Sequence, residues 1–155
     1  MCTRLDSTLV TVQVIPAVGL LNLGDTASAR AMLGRVAAVE IAPGFSALEA
    51  YVRWVTGDRD GARAIIRQIE ALPDDRWMVA TSKFLAYASL DTTRALEAME
   101  EALRKREIPG SFLPLLDRMF DPLRDSPRFA AVMRGFGLDE RAFRGRTPSD
   151  RRAIP

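Results

Sequence analysis

Aromatic side chains on two successive segments are the residues best suited to hold a partner molecule. Tyr51 and Trp54 recur 33 positions later as Phe84 and Tyr87. Exposed rings of this size are favourable anchors at protein interfaces. The predicted partner-binding residues are these four rings and two flanking cations, namely Tyr51, Arg53, Trp54, Lys83, Phe84 and Tyr87. The alternative is that the rings fill the seam between neighbouring helices and that the cations lie on a solvated face.

Clustered carboxylates could offer a second chemistry, the binding of a divalent cation. Asp117, Asp121 and Asp125 recur every four residues, which would place them together on one continuous helix. Pro122 interrupts such a helix, and several arginines nearby would neutralise the carboxylates. Helix capping and surface pairing are therefore the favoured interpretation, and no metal site is predicted.

A second acidic cluster, at Glu97, Glu100 and Glu101, precedes a basic run in the same predicted helix. Acidic residues early and basic residues late complement the helix dipole, and Glu101 stands four residues before Lys105. This pattern is typical of a solvated helix face.

The composition excludes several classes of enzyme. The chain has no histidine among its 155 residues, which removes catalytic triads, Cys–His pairs and most zinc sites. Its single cysteine, Cys2, cannot form an internal disulfide. The glycines stand singly at predicted helix ends and form no phosphate-binding loop. We expect a non-catalytic protein without a cofactor.

Charge and hydropathy favour neither a nucleic acid nor a membrane as a partner. The net charge is +2, and basic residues are interspersed with nearly as many acidic ones, so no direct contact with nucleic acid is expected. The most apolar early run, residues 9–23, is short and interrupted by polar residues and proline. No membrane-spanning segment is predicted from it, and a cytoplasmic location is expected.

A self-match with a period of 33 residues organises the chain. Gly24-Asp25, with an alanine five residues after the glycine, recurs as Gly57-Asp58 and, in weaker form, as Leu90-Asp91. A fixed period of roughly 20 to 50 residues is the signature of helical repeat arrays. Tight Gly-Asp turns between helical patterns force neighbouring helices to be antiparallel.

Hydrophobic spacing and capping residues locate the helices that would carry these side chains. The predicted helices cover about residues 16–23, 25–40, 45–56, 58–71, 75–89 and 92–106, with a closing helix after Ser126. Pro43-Gly44 is predicted to end the second of these helices. The segment before Pro16 is rich in β-branched residues, so a kinked helix or a β-like strand remains open there.

The repeats resemble tetratricopeptide repeats. The matching positions are a Gly-Asp turn, Ala29, Ala62 and Ala95 after it, and a bulky apolar residue four positions further on. The run FDPLRDSPRF at 120–129 is similar to the closing segment of repeat regions in bacterial regulators that carry winged-helix, cyclase or kinase domains. The period of 33 departs from the family's 34, and the repeats are degenerate.

The resemblance implies an all-α, right-handed α-α superhelix of about three helix pairs with a C-terminal capping helix. The predicted division is an irregular or kinked segment 1–15, degenerate repeats 16–107, capping helices 108–140 and a disordered tail 141–155. The implied function is an interaction scaffold that captures a peptide or helix on its concave face within a bacterial regulatory system. Two alternatives stay open: a self-assembly module that forms homo-oligomers, and a ligand or enzyme pocket lined by Trp54, Trp77 and carboxylates.

Overall fold

The computed structural model describes residues 14–33, 43–107 and 118–138, and every regular element in these ranges is a helix. The elements are α1 (Val14–Asn22), α2 (Thr26–Leu33), α3 (Pro43–Val55), α4 (Arg59–Glu70), α5 (Val79–Tyr87), α6 (Thr92–Arg104), a 3₁₀ helix (Arg118–Leu123) and α7 (Pro127–Gly135). The predicted all-α class is confirmed for this part of the chain. The predictions for 1–13, 34–42, 108–117 and 139–155 fall outside the described residues.

Consecutive helices pack as pairs. Helix α1 packs on α2, α3 on α4, and α5 on α6. The first helices of the pairs also touch one another, because α3 contacts both α1 and α5. Helix α6 in turn contacts α7 and the 3₁₀ helix. One cluster of buried apolar side chains runs through these helices.

The turns inside the first two pairs have the same backbone geometry. Gly24 and Gly57 adopt left-handed φ angles of +85° and +93°, which a glycine tolerates without a Cβ penalty. In each turn the aspartate N–H reaches back to the carbonyl five residues earlier, Leu20 or Arg53, at 2.9 Å. This hydrogen bond closes a Schellman motif and satisfies a carbonyl that the helix end would leave unpaired.

An aspartate begins the second helix of every pair. The carboxylates of Asp25, Asp58 and Asp91 accept hydrogen bonds from the N–H groups of Ser28, Gly61 and Arg94 at 2.9, 3.0 and 3.0 Å. Each bond satisfies one of the free amides of a helix N-terminus. The predicted capping roles of Asp25 and Asp58 are confirmed.

The repeated apolar positions are buried in all three pairs. Ala29, Ala62 and Ala95, each the fourth residue of its helix, have no exposed surface. Leu33, Ile66 and Met99 are buried one helical turn further on. Small residues at these positions let the two helices of a pair approach closely.

Two predicted helix beginnings differ from the structure. Helix α3, predicted from residue 45, begins at Pro43, where the fixed φ and missing N–H of proline cost nothing. The predicted end of the helix before Pro43-Gly44, at about residue 40, lies within 34–42, outside the described residues. The first helix of the third pair, predicted from residue 75, begins only at Val79. Met78 before it has a left-handed φ of 68°, which separates α5 from the turn after Pro73.

A remote carboxylate caps α5. Met78 makes no side-chain capping bond, and its thioether is only a weak acceptor. Glu107, only 3% exposed, accepts hydrogen bonds from the N–H groups of Thr81 at 2.8 Å and Ala80 at 3.4 Å. Glu107, in the turn after α6, therefore provides the acceptor for two N–H groups at the beginning of α5.

The C-terminal elements contribute buried side chains to the same apolar cluster. Met119, Phe120 and Leu123 of the 3₁₀ helix are fully buried. The Ser126 hydroxyl accepts from the Phe129 N–H, and the first position of α7 is a proline, as predicted. The predicted capping segment therefore contains one 3₁₀ helix and one α-helix within 118–138.

Candidate functional site

Three of the four predicted partner-binding rings lie in the interior. Tyr51, Phe84 and Tyr87 are buried, and Phe84 stacks on Phe120 with ring centroids 5.3 Å apart and an angle of 20° between the ring planes. Stacked aromatic pairs at this separation add to the stability that burial provides. These three rings are therefore placed as the alternative predicts, in the seam between elements. Their role in partner binding stays a prediction.

Tyr87 belongs to a polar group that ties three helices together. Its hydroxyl donates to Glu70 Oε1 at 2.5 Å, and Arg94 Nη2 binds the same oxygen at 2.6 Å. The Arg94 guanidinium also lies 4.1 Å from the centre of the Tyr87 ring. Burial, reinforced by the bond to Glu70, raises the pKa of Tyr87, while the Tyr87 hydroxyl, followed by Arg94, lowers the pKa of Glu70.

Trp54 occupies the equivalent position in the preceding pair and is half-buried. The guanidinium carbon of Arg59 lies 3.8 Å from the centre of its ring, and that of Arg63 lies 5.8 Å away. Arginine over a tryptophan face is an attractive cation–π arrangement that also restrains both side chains. Trp54 is thus the predicted ring that remains accessible.

The flanking cations are engaged in ion pairs. Arg53 bonds Glu49 Oε1 through Nε at 2.8 Å and Asp58 Oδ2 through Nη1 at 2.6 Å. The bond from Arg53, followed by the Gly61 amide, lowers the pKa of Asp58. Because Asp58 also caps α4, Arg53 stabilises the α3–α4 turn.

Lys83 borders an open pocket of about 270 Å³ between α5 and α6. Its Nζ lies 2.8 Å from Asp74 Oδ1, and Lys105 on the opposite side donates to the Asp74 carbonyl at 2.6 Å and pairs with Glu101 at 3.2 Å. The hydrogen bond from Lys83 lowers the pKa of Asp74. The charged groups of this pocket therefore bind one another, and neither tryptophan lines it.

Sequence reasoning missed Arg59 and Arg63 as companions of Trp54. Both stand on the helix after the turn, so the signal available was an aromatic residue before a Gly-Asp turn and an arginine after it. Tyr87 and Arg94 form a similar pair across the Leu90-Asp91 turn, which has no glycine. A search for this pairing would have distinguished Trp54 from Tyr51.

The part of the chain that the structure describes contains no group of three metal-ligating side chains and no helix long and apolar enough to cross a membrane. Of the aspartate series considered above as a cation site, Asp117 lies outside that part, and Asp121 pairs with Arg124 at 3.0 Å.

Comparisons with family models, curated proteins and solved structures gave no match.

Proposed function

We propose that this chain is a tetratricopeptide-like right-handed solenoid that acts as a non-catalytic scaffold for a protein partner. The repeated Gly-Asp turns, the aspartate caps and the equal burial of the alanines support consecutive equivalent hairpins. Such arrays share apolar surface between neighbouring repeats and bind partners along their faces.

The observation that carries the proposal is the partial exposure of the Trp54 ring beside two arginines. The half-buried ring lies beneath two guanidinium groups, which restrain the side chain before any partner arrives. Tryptophan and arginine dominate the energetics of many protein interfaces, and rigid anchors lose little entropy on binding. The partner surface therefore centres on Trp54 rather than on the buried rings of Tyr51, Phe84 and Tyr87.

A comparison of two tryptophan variants tests this function. Immobilised wild type, Trp54→Ala and Trp77→Ala are incubated with lysate, and the retained proteins are quantified by mass spectrometry. Trp77 is the matched control, because its ring is 76% exposed and lies in the turn before α5. We expect a partner that Trp77→Ala retains and Trp54→Ala loses.

Two results would contradict the proposal. One is that Trp54→Ala, with circular dichroism equal to wild type, retains every protein that wild type retains. The other is that no protein is enriched on wild type over a blank matrix.

A further inference from the structure

The outward side of α4 carries a line of arginines beside the Trp54 ring. Arg59, Arg63 and Arg67 follow i, i+4 spacing, and all three are exposed. We name Arg59, Arg63 and Arg67 the arginine face.

The positive charge of the arginine face is only partly compensated. Arg63 forms a 3.2 Å ion pair with Asp60, whose side chain is 97% exposed. The structure shows no salt bridge to Arg59 or Arg67 within the described ranges 14–33, 43–107 and 118–138. Like charges at i, i+4 spacing destabilise a helix, so this arrangement costs stability in the free protein. A bound anion would remove that repulsion.

Arg59 is already arranged to receive an anion. Its guanidinium carbon lies 3.8 Å from the centre of the Trp54 ring, and no ion pair among the described residues occupies its N–H groups. Two parallel N–H donors of one guanidinium match the two oxygens of a carboxylate. Arg63, on the same ring at 5.8 Å, places a second guanidinium beside the first.

We propose that the arginine face and Trp54 together bind an acidic segment of a protein partner, with its Asp or Glu carboxylates on Arg59 and Arg63. This inference rests on the proposed function and adds the chemical class of the partner. An acidic peptide fits better than a nucleic acid, because three arginines on one helix offer few contacts to a long phosphate backbone, whereas Trp54 beside them offers an apolar anchor for a protein segment. The whole chain also carries a net charge of only +2.

Binding of a defined probe by the full chain tests the inference. The probe is a fluorescein-labelled peptide of alternating glutamate and glycine, followed by fluorescence anisotropy at low salt. A peptide in which glutamine replaces glutamate is the uncharged control. In a Trp77→Phe background Trp54 is the sole tryptophan, so a change in its emission reports binding at the proposed place.

Three variants separate the site from general charge attraction. Because each charge-assisted hydrogen bond is worth about tenfold or more in affinity, Arg59→Ala with Arg63→Ala should weaken binding at least about tenfold. Arg59→Lys keeps the charge but loses the stacked planar fork, so it should also weaken binding several-fold. The matched control, Arg76→Ala, removes an exposed arginine elsewhere and should leave the affinity near wild type.

The inference is overturned if wild type does not bind the glutamate peptide, or if Arg59→Lys and Arg76→Ala bind it equally well. It is also overturned if single-stranded DNA of equal charge binds wild type more tightly than the peptide does. Each of these three outcomes leaves the proposed function standing when the lysate experiment still yields a partner that depends on Trp54. Circular dichroism of each variant confirms that lost binding is not lost folding.

Discussion

Replacing Glu107 should weaken the whole fold, because this residue caps a helix that has no cap of its own. Glu107 is 3% exposed, and its carboxylate accepts hydrogen bonds from the N–H groups of Thr81 and Ala80 at the beginning of α5. Alanine at this position would leave two buried amides without an acceptor. Glutamine would keep one acceptor oxygen and lose the negative charge that the helix dipole favours.

The expected magnitude follows from the two distances. The 2.8 Å bond to Thr81 is short enough to count as a charge-assisted hydrogen bond, while the 3.4 Å contact to Ala80 is weak. A charge-assisted bond is worth about 1.5–3 kcal/mol, and loss of a helix cap costs about 0.5–2 kcal/mol. Since burial of a carboxylate offsets part of this gain, Glu107→Ala should lower the free energy of unfolding by about 2 kcal/mol and Glu107→Gln by about 1 kcal/mol.

Urea denaturation followed by circular dichroism measures this effect, with thermal melts as a second readout. A loss of about 2 kcal/mol corresponds to a melting temperature lower by about 4–8 °C for a domain of this size. Glu97→Ala is the matched control, because Glu97 is an exposed residue on α6 and its removal should cost less than about 0.5 kcal/mol. If Glu107→Ala melts together with Glu97→Ala, the capping argument is refuted.

Three further predictions concern the turn after α6, the 3₁₀ helix and the acid sensitivity of the fold. Arg106→Gly should stabilise the protein by about 1 kcal/mol in urea, because Arg106 holds a left-handed φ of 52°. Phe120→Ala should cost about 3–5 kcal/mol, because its ring is 1% exposed and stacks on Phe84. Glu70 has a lowered pKa, caused first by Tyr87, so its contribution is present above its ordinary pKa of 4.5 and is lost as the pH falls through the lower folded value. Thermal melts of Glu70→Gln should therefore show a smaller loss of stability below about pH 4.5 than wild type does.

Each of these predictions has a control in the same chain. Lys105→Gly replaces a residue with an ordinary helical φ of −78°, so it should not stabilise the protein. Trp77→Ala removes a ring that is 76% exposed and should change stability by less than about 0.5 kcal/mol. Glu97→Gln removes an exposed carboxylate and should leave the acid dependence of wild type. Agreement of a variant with its control would contradict the corresponding prediction.

Local chemistry made the turns and caps predictable from sequence. The Gly24-Asp25 and Gly57-Asp58 turns depend on residues within five positions of each aspartate, and the structure shows the expected bonds. The third turn has Leu90 instead of glycine, and the N–H of Asp91 there reaches only four residues back, to Tyr87. Without a glycine the left-handed turn is unfavourable, so the backbone takes a different path while the aspartate cap is kept.

Contacts between distant residues were not predictable by these means. The bond between Glu107 and Thr81 spans 26 positions, and the stack of Phe84 on Phe120 joins the third pair to the closing segment. No periodic pattern specifies either partner, because neither contact repeats elsewhere in the described chain. The beginning of α5 was misplaced for the same reason, since its capping carboxylate comes from beyond the next helix.

The repeat phase located the candidate site but could not decide which rings are accessible. Trp54 and Tyr87 stand 33 positions apart, and an arginine of the following helix lies over each ring. The two rings differ in exposure, because Tyr87 is 5% exposed while Trp54 is only half-buried. The Tyr87 hydroxyl also donates a hydrogen bond to Glu70 of the preceding pair. The repeat phase alone therefore does not fix the exposure of these rings. Tyr87 receives a partner from the preceding pair, Glu70, whereas the guanidinium groups over Trp54 come from the second helix of its own pair.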